Sequence, residues 1–221
     1  RYTSYPTAVE FNESYGEADY QESLREADKA ADEPLSLYVH LPFCEERCSF
    51  CGCNVVITKK REVCAEYLGH LESEIDLLAR RMPTRRRLSQ YHWGGGTPTY
   101  LSPAEMEALQ KKVVEHFRID PDAEVAIETD PRVTTHEQMD LLKALGFNRV
   151  SMGVQDFTPA VQEAIHRNQT ERETRDHYDH CRNLGFHSIN LDLIYGLPLQ
   201  TPEAFDRNMD VVLEMRPVRR G

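Results

Sequence analysis

Six cysteines occur in the 221 residues, and four of them, Cys44, Cys48, Cys51 and Cys53, fall within the stretch CEERCSFCGC. Disulfides, a structural zinc site or an iron–sulfur cluster could each use thiols at this density. Disulfides fit poorly. No apolar signal segment opens the chain, so a cytoplasmic, thiol-reducing compartment is expected, and a disulfide framework would spread its cysteines along the chain. Structural zinc usually takes a second, distant pair of Cys or His. The distant candidates are Cys64, Cys181, His177 and His180, and the last three read as the solvated face of a polar helix. An iron–sulfur cluster takes soft thiolates from an adaptable loop. The C-x3-C-x2-C spacing of Cys44, Cys48 and Cys51 can hold three corners of a cubane and leave one iron open, which is what a catalytic metal centre needs. Cys53, two residues beyond Cys51, is awkwardly placed to close such a cluster. Zinc and iron–sulfur both stay open on spacing alone.

The elements that must position these thiols alternate along the chain. Residues 1–34 are polar and Tyr-rich, an N-terminal arm with one short helix near 17–31. LSLYVHLPF (35–43) reads as a buried strand. In 65–82, Leu68, Leu71, Ile75 and Leu78 recur at spacings of three and four, the stripe of an amphipathic helix. Cys64 is expected as a packed residue at that helix start. LSQYHW (88–93) is a second strand, and Ser102, Pro103 and Glu105 start a helix with a capping box. EVAIETD (124–130) is a third strand, Thr134 and Glu137 read as the next capping box, and that helix ends at Gly146. Strands at 149–157 and 188–197 enclose a helical stretch ending at Gly185, and Thr201 and Pro202 begin a fifth helix. LKALGFNRVSMGVQ and CRNLGFHSINLDLI repeat the same order of helix, Gly-Phe and strand.

Five βα units over 35–221 imply a parallel sheet with right-handed crossovers. No GxGxxG follows a strand, so a dinucleotide site has no support. The expected fold is α/β, a partial, open TIM-like (β/α) barrel truncated after about five units. In such a barrel chemistry sits at the C-terminal ends of the strands. The cysteine run, GGGTP, Glu128, Gln155 and Asp192 all fall there.

Composition narrows the partners. The net charge of −11 argues against nucleic acid and against an anionic membrane surface. The basic run RRMPTRRR (80–87) reads as a solvated helix end and loop. No apolar window is long enough to span a bilayer. The chain opens on Arg1 rather than Met and stops just after a helical pattern, so it is expected to be part of a longer protein.

SLYVHLPFCEERCSFCGCN, HWGGGTPTYL, FNRVSMGVQDF and INLDLIYGLPLQT, preceded by RYTSYPTA, resemble the oxygen-independent coproporphyrinogen III oxidase (dehydrogenase) family of radical S-adenosylmethionine enzymes. The resemblance covers nearly the whole chain. It implies that Cys44, Cys48 and Cys51 bind a [4Fe–4S] cluster whose open iron chelates S-adenosylmethionine. It further implies a 5′-deoxyadenosyl radical and decarboxylation of two propionates of coproporphyrinogen III to vinyl groups, giving protoporphyrinogen IX. Two S-adenosylmethionine molecules are implied, with an unidentified electron donor, in a monomer. Tyr38 is implied beside the cofactor, in a catalytic as well as a binding role. Phe50 and Gly52 are implied at the adenosyl group, and Gly95, Gly96 and Thr97 at the methionyl group. Glu128, Gln155, Arg167, Asp192 and Ile194 are implied as further cofactor contacts.

Cys53 is implied near the second cofactor, needed for turnover. Related haem-chaperone-like proteins typically carry Phe there, so CGCN favours the oxidase over a haem-handling relative. Read without the resemblance, GGGTP is a strand-to-helix turn, the polar residues are satisfied barrel groups, Ile194 is core and His40 is structural. Arg1, Tyr2 and Tyr5 are candidates for the substrate carboxylates. The family continues into a sixth strand and a C-terminal domain, so this chain alone is expected to be inactive or aggregation-prone.

Overall fold

The computed structural model describes residues 8–10 and 12–216. Arg1, Tyr2 and Tyr5 lie outside the described residues. After a 3-10 turn at Ala8–Glu10 comes α1 (Glu17–Asp28). β1 (Leu35–Leu41) leads into the cysteine loop, whose two ends pair as β2 (Phe43–Cys44) and β3 (Val56–Ile57). Then follow α2 (Arg61–Arg81), β4 (Arg87–Gly95), α3 (Pro103–His116), β5 (Arg118–Thr129), α4 (His136–Ala144) and β6 (Arg149–Gln155). α5 (Pro159–Ala164), α6 (Glu171–Asn183), β7 (Ser188–Leu193) and α7 (Pro202–Met215) complete the order.

β1, β4, β5, β6 and β7 form one sheet in that order, and every neighbouring pair is parallel. The order never reverses, so each crossover advances one place in the same direction. That is barrel winding; a doubly wound sheet reverses at a switch point. β1 and β7 remain as edges, so the barrel is open, as expected.

α2, α3, α4, α6 and α7 pack against the sheet through one large core, and α5 belongs to a separate small cluster. On α3, Met106, Leu109 and Val113 recur at helical spacing and are buried. Each such side chain contributes about 1.5–3 kcal/mol. Ser102 caps α3 as expected: its hydroxyl accepts from Glu105 N, and Glu105 Oε2 accepts from Ser102 N at 2.7 Å. At the centre, Trp93 Nε1 donates to Tyr91 Oη at 2.6 Å, and the Trp93 ring stands edge-on to Phe147.

Several expectations shift. α2 starts at Arg61, which places Cys64 inside its first turn, fully buried. The box before α4 is Thr135 with Gln138, one residue beyond the expected pair, because Thr134 Oγ1 is engaged by Asp130 O and Thr99 Oγ1. The helical stretch before Gly185 is two helices, divided where His166 and Asn168 take positive φ. β6 ends at Gln155 and β7 at Leu193, both short of the expected ends. His177 and Cys181 are buried rather than solvated, because α6 turns its Thr174, His177, Tyr178 and Cys181 side toward the core.

The basic run is not a free solvated face either. Arg85 donates to Ala27 O, Glu33 O and Pro34 O, while Asp28 Oδ1 accepts from Thr84 N and Arg85 N, both at 2.9 Å. These bonds hold α1 at the N-terminal ends of the strands. Among the described residues no helix is long and apolar enough to cross a membrane.

Candidate functional site

At the C-terminal ends of the strands lies a cavity of about 680 Å³. The loop after β1 gives it Cys44, Cys48, Phe50, Cys51 and Cys53, and β4 with its following turn gives Gly95, Gly96 and Thr97. Glu128 comes from β5, Gln155 from β6, Arg167 from the α5–α6 turn and Asp192 from β7. Twelve implied site residues, drawn from five successive βα units, thus share one lining.

Backbone bonds fix the cysteine loop. Val56 N donates to Pro42 O at 2.8 Å, Thr58 N to Cys44 O at 3.0 Å and Ser49 N to Ile165 O at 3.1 Å. The glycine run is needed for packing as well as for lining. A Cβ on Gly96 would stand 2.7 Å from Pro42 O and Phe43 O, so only glycine lets the turn reach the chain entering Cys44. Gly95 sits at φ +118°, which glycine adopts at low cost.

Cys48 is buried, Cys44 and Cys51 are half-buried, and Cys53 is exposed. Burial pushes the Cys44 thiol up, opposed by Thr97 Oγ1 at 3.5 Å and reinforced by its cysteine neighbours. Burial and the neighbouring Cys51 and Glu128 push the Cys53 thiol up too.

Asp130 and Arg132 also line the cavity; neither was singled out from the sequence. Arg132 donates from Nε and Nη2 to Asp130, at 3.0 and 2.6 Å, and from Nη1 to Arg167 O at 2.5 Å. Arg132 Nη2 and Arg167 Nη1 each stand 3.8 Å from Cys48 Sγ. Arg167 also donates to Gly153 O at 2.8 Å and Gln169 Oε1 at 3.0 Å, and its Nη2 lies 3.4 Å from Asp130 Oδ1. Burial alone would push the Asp130 carboxyl up, but Arg132 and Arg167 hold it below its usual range. A Thr-Asp-Pro-Arg run at a strand end carries no spacing signal, which is why Arg132 was not legible.

Glu128 is held by Gly95 N at 3.1 Å and His92 Nε2 at 3.3 Å. Asp192 accepts from Ser151 Oγ at 2.8 Å and Asn190 Nδ2 at 2.6 Å. Gln155 takes φ 70°, and its carbonyl accepts from Ile194 N at 3.0 Å.

Three implied residues lie off the cavity lining. Gly52 is exposed on the loop. Ile194 packs, as does Phe50, against the small cluster of Val161, Ile165 and Leu197. Tyr38 stacks on His92, and its hydroxyl is 3.0 Å from His40 Nδ1. Burial, then the Glu128 charge, pushes the Tyr38 phenol up. His40 Nε2 meets Asn54 O at 2.9 Å, the structural bond expected of it.

The donor set suits a [4Fe–4S] cluster. Among the described residues no three His, Cys, Asp or Glu side chains converge as a single chelated ion would need. A four-iron cluster distributes its thiolates over separate irons and does not ask for that convergence.

Comparisons with known proteins agree with this geometry. Oxygen-independent coproporphyrinogen III oxidase of Pseudomonas aeruginosa is 49% identical over 99% of this chain and 48% of its own length. A solved structure of Escherichia coli coproporphyrinogen III oxidase, described as a radical SAM enzyme, superposes with a TM-score of 0.91. It shares 47% identity over 98% of this chain and 49% of its own. The radical S-adenosylmethionine methyltransferase TsrM of Kitasatospora setae shares the fold alone, with a TM-score of 0.57 at 19% identity over 90% of this chain and 37% of its own. The chain spans about half the length of the oxidases it matches. A family model described as the Radical SAM superfamily matches residues 38–212, and by that match the chain belongs to the radical SAM superfamily.

Proposed function

We propose that this chain is the radical-forming part of an oxygen-independent coproporphyrinogen III oxidase. The carrying observation is the 49% identity to such an oxidase over 99% of the chain, with the cysteine triad standing in the strand-end cavity. In this reading Cys44, Cys48 and Cys51 hold the [4Fe–4S] cluster. Glu128, Gln155, Asp192, Gly95, Gly96, Thr97 and Phe50 surround the cofactor in the cavity, and Tyr38, Gly52 and Ile194 bound it from outside that lining. Cys53 and Tyr38 act in turnover. The second S-adenosylmethionine, the monomeric state and the cytoplasmic location belong to the same proposal.

Cluster and S-adenosylmethionine supply, when bound, a primary carbon radical that abstracts hydrogen. Each propionate then loses one hydrogen atom, CO2 and one electron to become vinyl, and the electron passes to an acceptor. The chain's own groups keep that radical productive. Cys48 is buried at the cavity wall, and the polar collar of Glu128 and Asp192 orients hydroxyl and amino groups of the ligand. Similarity to named oxidases favours this reading over a haem-handling relative.

The test is anaerobic reconstitution of the full-length protein, then addition of S-adenosylmethionine, reductant and coproporphyrinogen III. Formation of 5′-deoxyadenosine and protoporphyrinogen IX, both lost in Cys48→Ala, is the expected result. A cluster that forms without either product refutes the assignment.

A further inference from the structure

The cavity is asymmetric around its thiols. Cys44 meets a neutral hydroxyl, Thr97 Oγ1 at 3.5 Å. Cys48 meets two guanidinium groups, Arg132 Nη2 and Arg167 Nη1, each at 3.8 Å. Both arginines lean on one buried carboxylate, Asp130, which is 7% exposed. Two positive charges and one negative leave the group with net positive charge beside a single sulfur. Arg132 is held on both sides: Asp130 takes its Nε and Nη2, and the Arg167 carbonyl takes its Nη1. A guanidinium fixed this tightly is a preorganised charge, with no rearrangement needed when charge changes nearby.

We infer that Arg132, oriented by Asp130, is a positioning residue that sets the reduction potential of the cluster through Cys48. This rests on the reading that Cys44, Cys48 and Cys51 hold that cluster. Adding one electron makes the cluster more negative. Cationic charge and hydrogen bonds at a ligating sulfur stabilise that reduced state and raise the potential. Arg132 thereby eases delivery of the electron from a low-potential one-electron carrier. Asp130 acts in the opposite direction by partly cancelling the two guanidiniums, so the carboxylate limits the effect as well as fixing the geometry.

The test is redox potentiometry of the reconstituted full-length protein, read from the cluster's paramagnetic signal, with iron and sulfide content determined in parallel. At a poise where the wild type is half reduced, Arg132→Gln is expected to show a reduced-to-oxidised ratio about tenfold lower, equal to 59 mV for one electron. Arg132→Lys keeps the charge and should stay within about threefold of the wild type. Asp130→Asn should move the ratio upward, a sign that simple structural damage would not produce.

Equal ratios in wild type and Arg132→Gln, both with full iron and sulfide, overturn this inference and leave the proposed function standing. If Arg132→Gln sheds its iron, Arg132→Met with full iron and sulfide decides, and a ratio equal to the wild type there overturns the inference. Wild type that takes up no iron and sulfide overturns both readings.

Discussion

The two ends of the sheet both rely on arginine, and they use it differently. At the N-terminal ends of the strands, Arg85 and Arg86 donate to backbone carbonyls and Arg87 pairs with Asp120. Arg85 gives donors to the carbonyls of Ala27, Glu33 and Pro34, and the result is a clamp on α1. At the C-terminal ends, Arg132 and Arg167 share one buried carboxylate and still direct hydrogens at Cys48 Sγ. A guanidinium that spends its donors on carbonyls fixes the fold; one with donors left over for a thiol serves chemistry. Charge runs in the sequence do not separate these cases, because what separates them is the acceptor across the gap.

The largest expected effect is at the upper end. Cys48→Ala removes one of the three thiolates proposed to hold the cluster, so iron and sulfide content should fall to background and 5′-deoxyadenosine formation with it. The chain should still fold with an unchanged far-ultraviolet dichroism spectrum.

Next is a pH effect beneath the same end. His177 Nε2 lies 3.2 Å from Thr129 Oγ1. Burial first, then the neighbouring His136 and His180, lowers its pKa to about 4, with Asp130 and Asp176 opposing. The unfolded chain binds the proton at the ordinary histidine value near 6.5. Stability is therefore full above about pH 6.5 and falls as the pH drops toward 4, where the folded state finally takes the proton too. The window is worth about 3 kcal/mol. Denaturant midpoints across it should drop less steeply in His177→Gln, and parallel slopes would show that His177 does not carry the effect.

Gly96→Ala sharpens the comparison from the packing side. Its Cβ would meet backbone of Pro42 and Phe43 at 2.7 Å. A loss of about 1–3 kcal/mol is expected, together with impaired cluster uptake, because the displaced backbone leads directly into Cys44. The smallest effect belongs to the lower end. Arg85→Ala removes three donors to carbonyls and should cost about 1–2 kcal/mol in a urea titration, with the cluster's potential unchanged. A shifted potential there would erase the distinction between the two ends.

Much of the scaffold was legible because local signals and tertiary demands agree. Ser102, Pro103 and Glu105 start α3 where the pattern placed them, since among the described residues no outside partner competes for the Ser102 hydroxyl. The α4 cap slipped by one residue because Thr134 and Thr135 both satisfy the capping pattern, and the choice is made by Thr99 and Asp130 elsewhere in the chain. The buried side of α6 was readable in principle, since Thr174, Tyr178 and Cys181 recur at helical spacing, but polar neighbours hid it. At the site, the thiols announced themselves by density. Arg132 did not, because its role comes from lying across the cavity from Cys48, 84 residues away in the chain.

The most direct single measurement is the metal and sulfide content of the anaerobically reconstituted protein, with its paramagnetic spectrum before and after S-adenosylmethionine. Iron and sulfide in equal amounts, with a spectrum that changes when S-adenosylmethionine is added, are expected from three thiolates leaving one iron open. Stoichiometric zinc without sulfide, or a cluster whose spectrum ignores S-adenosylmethionine, would contradict it.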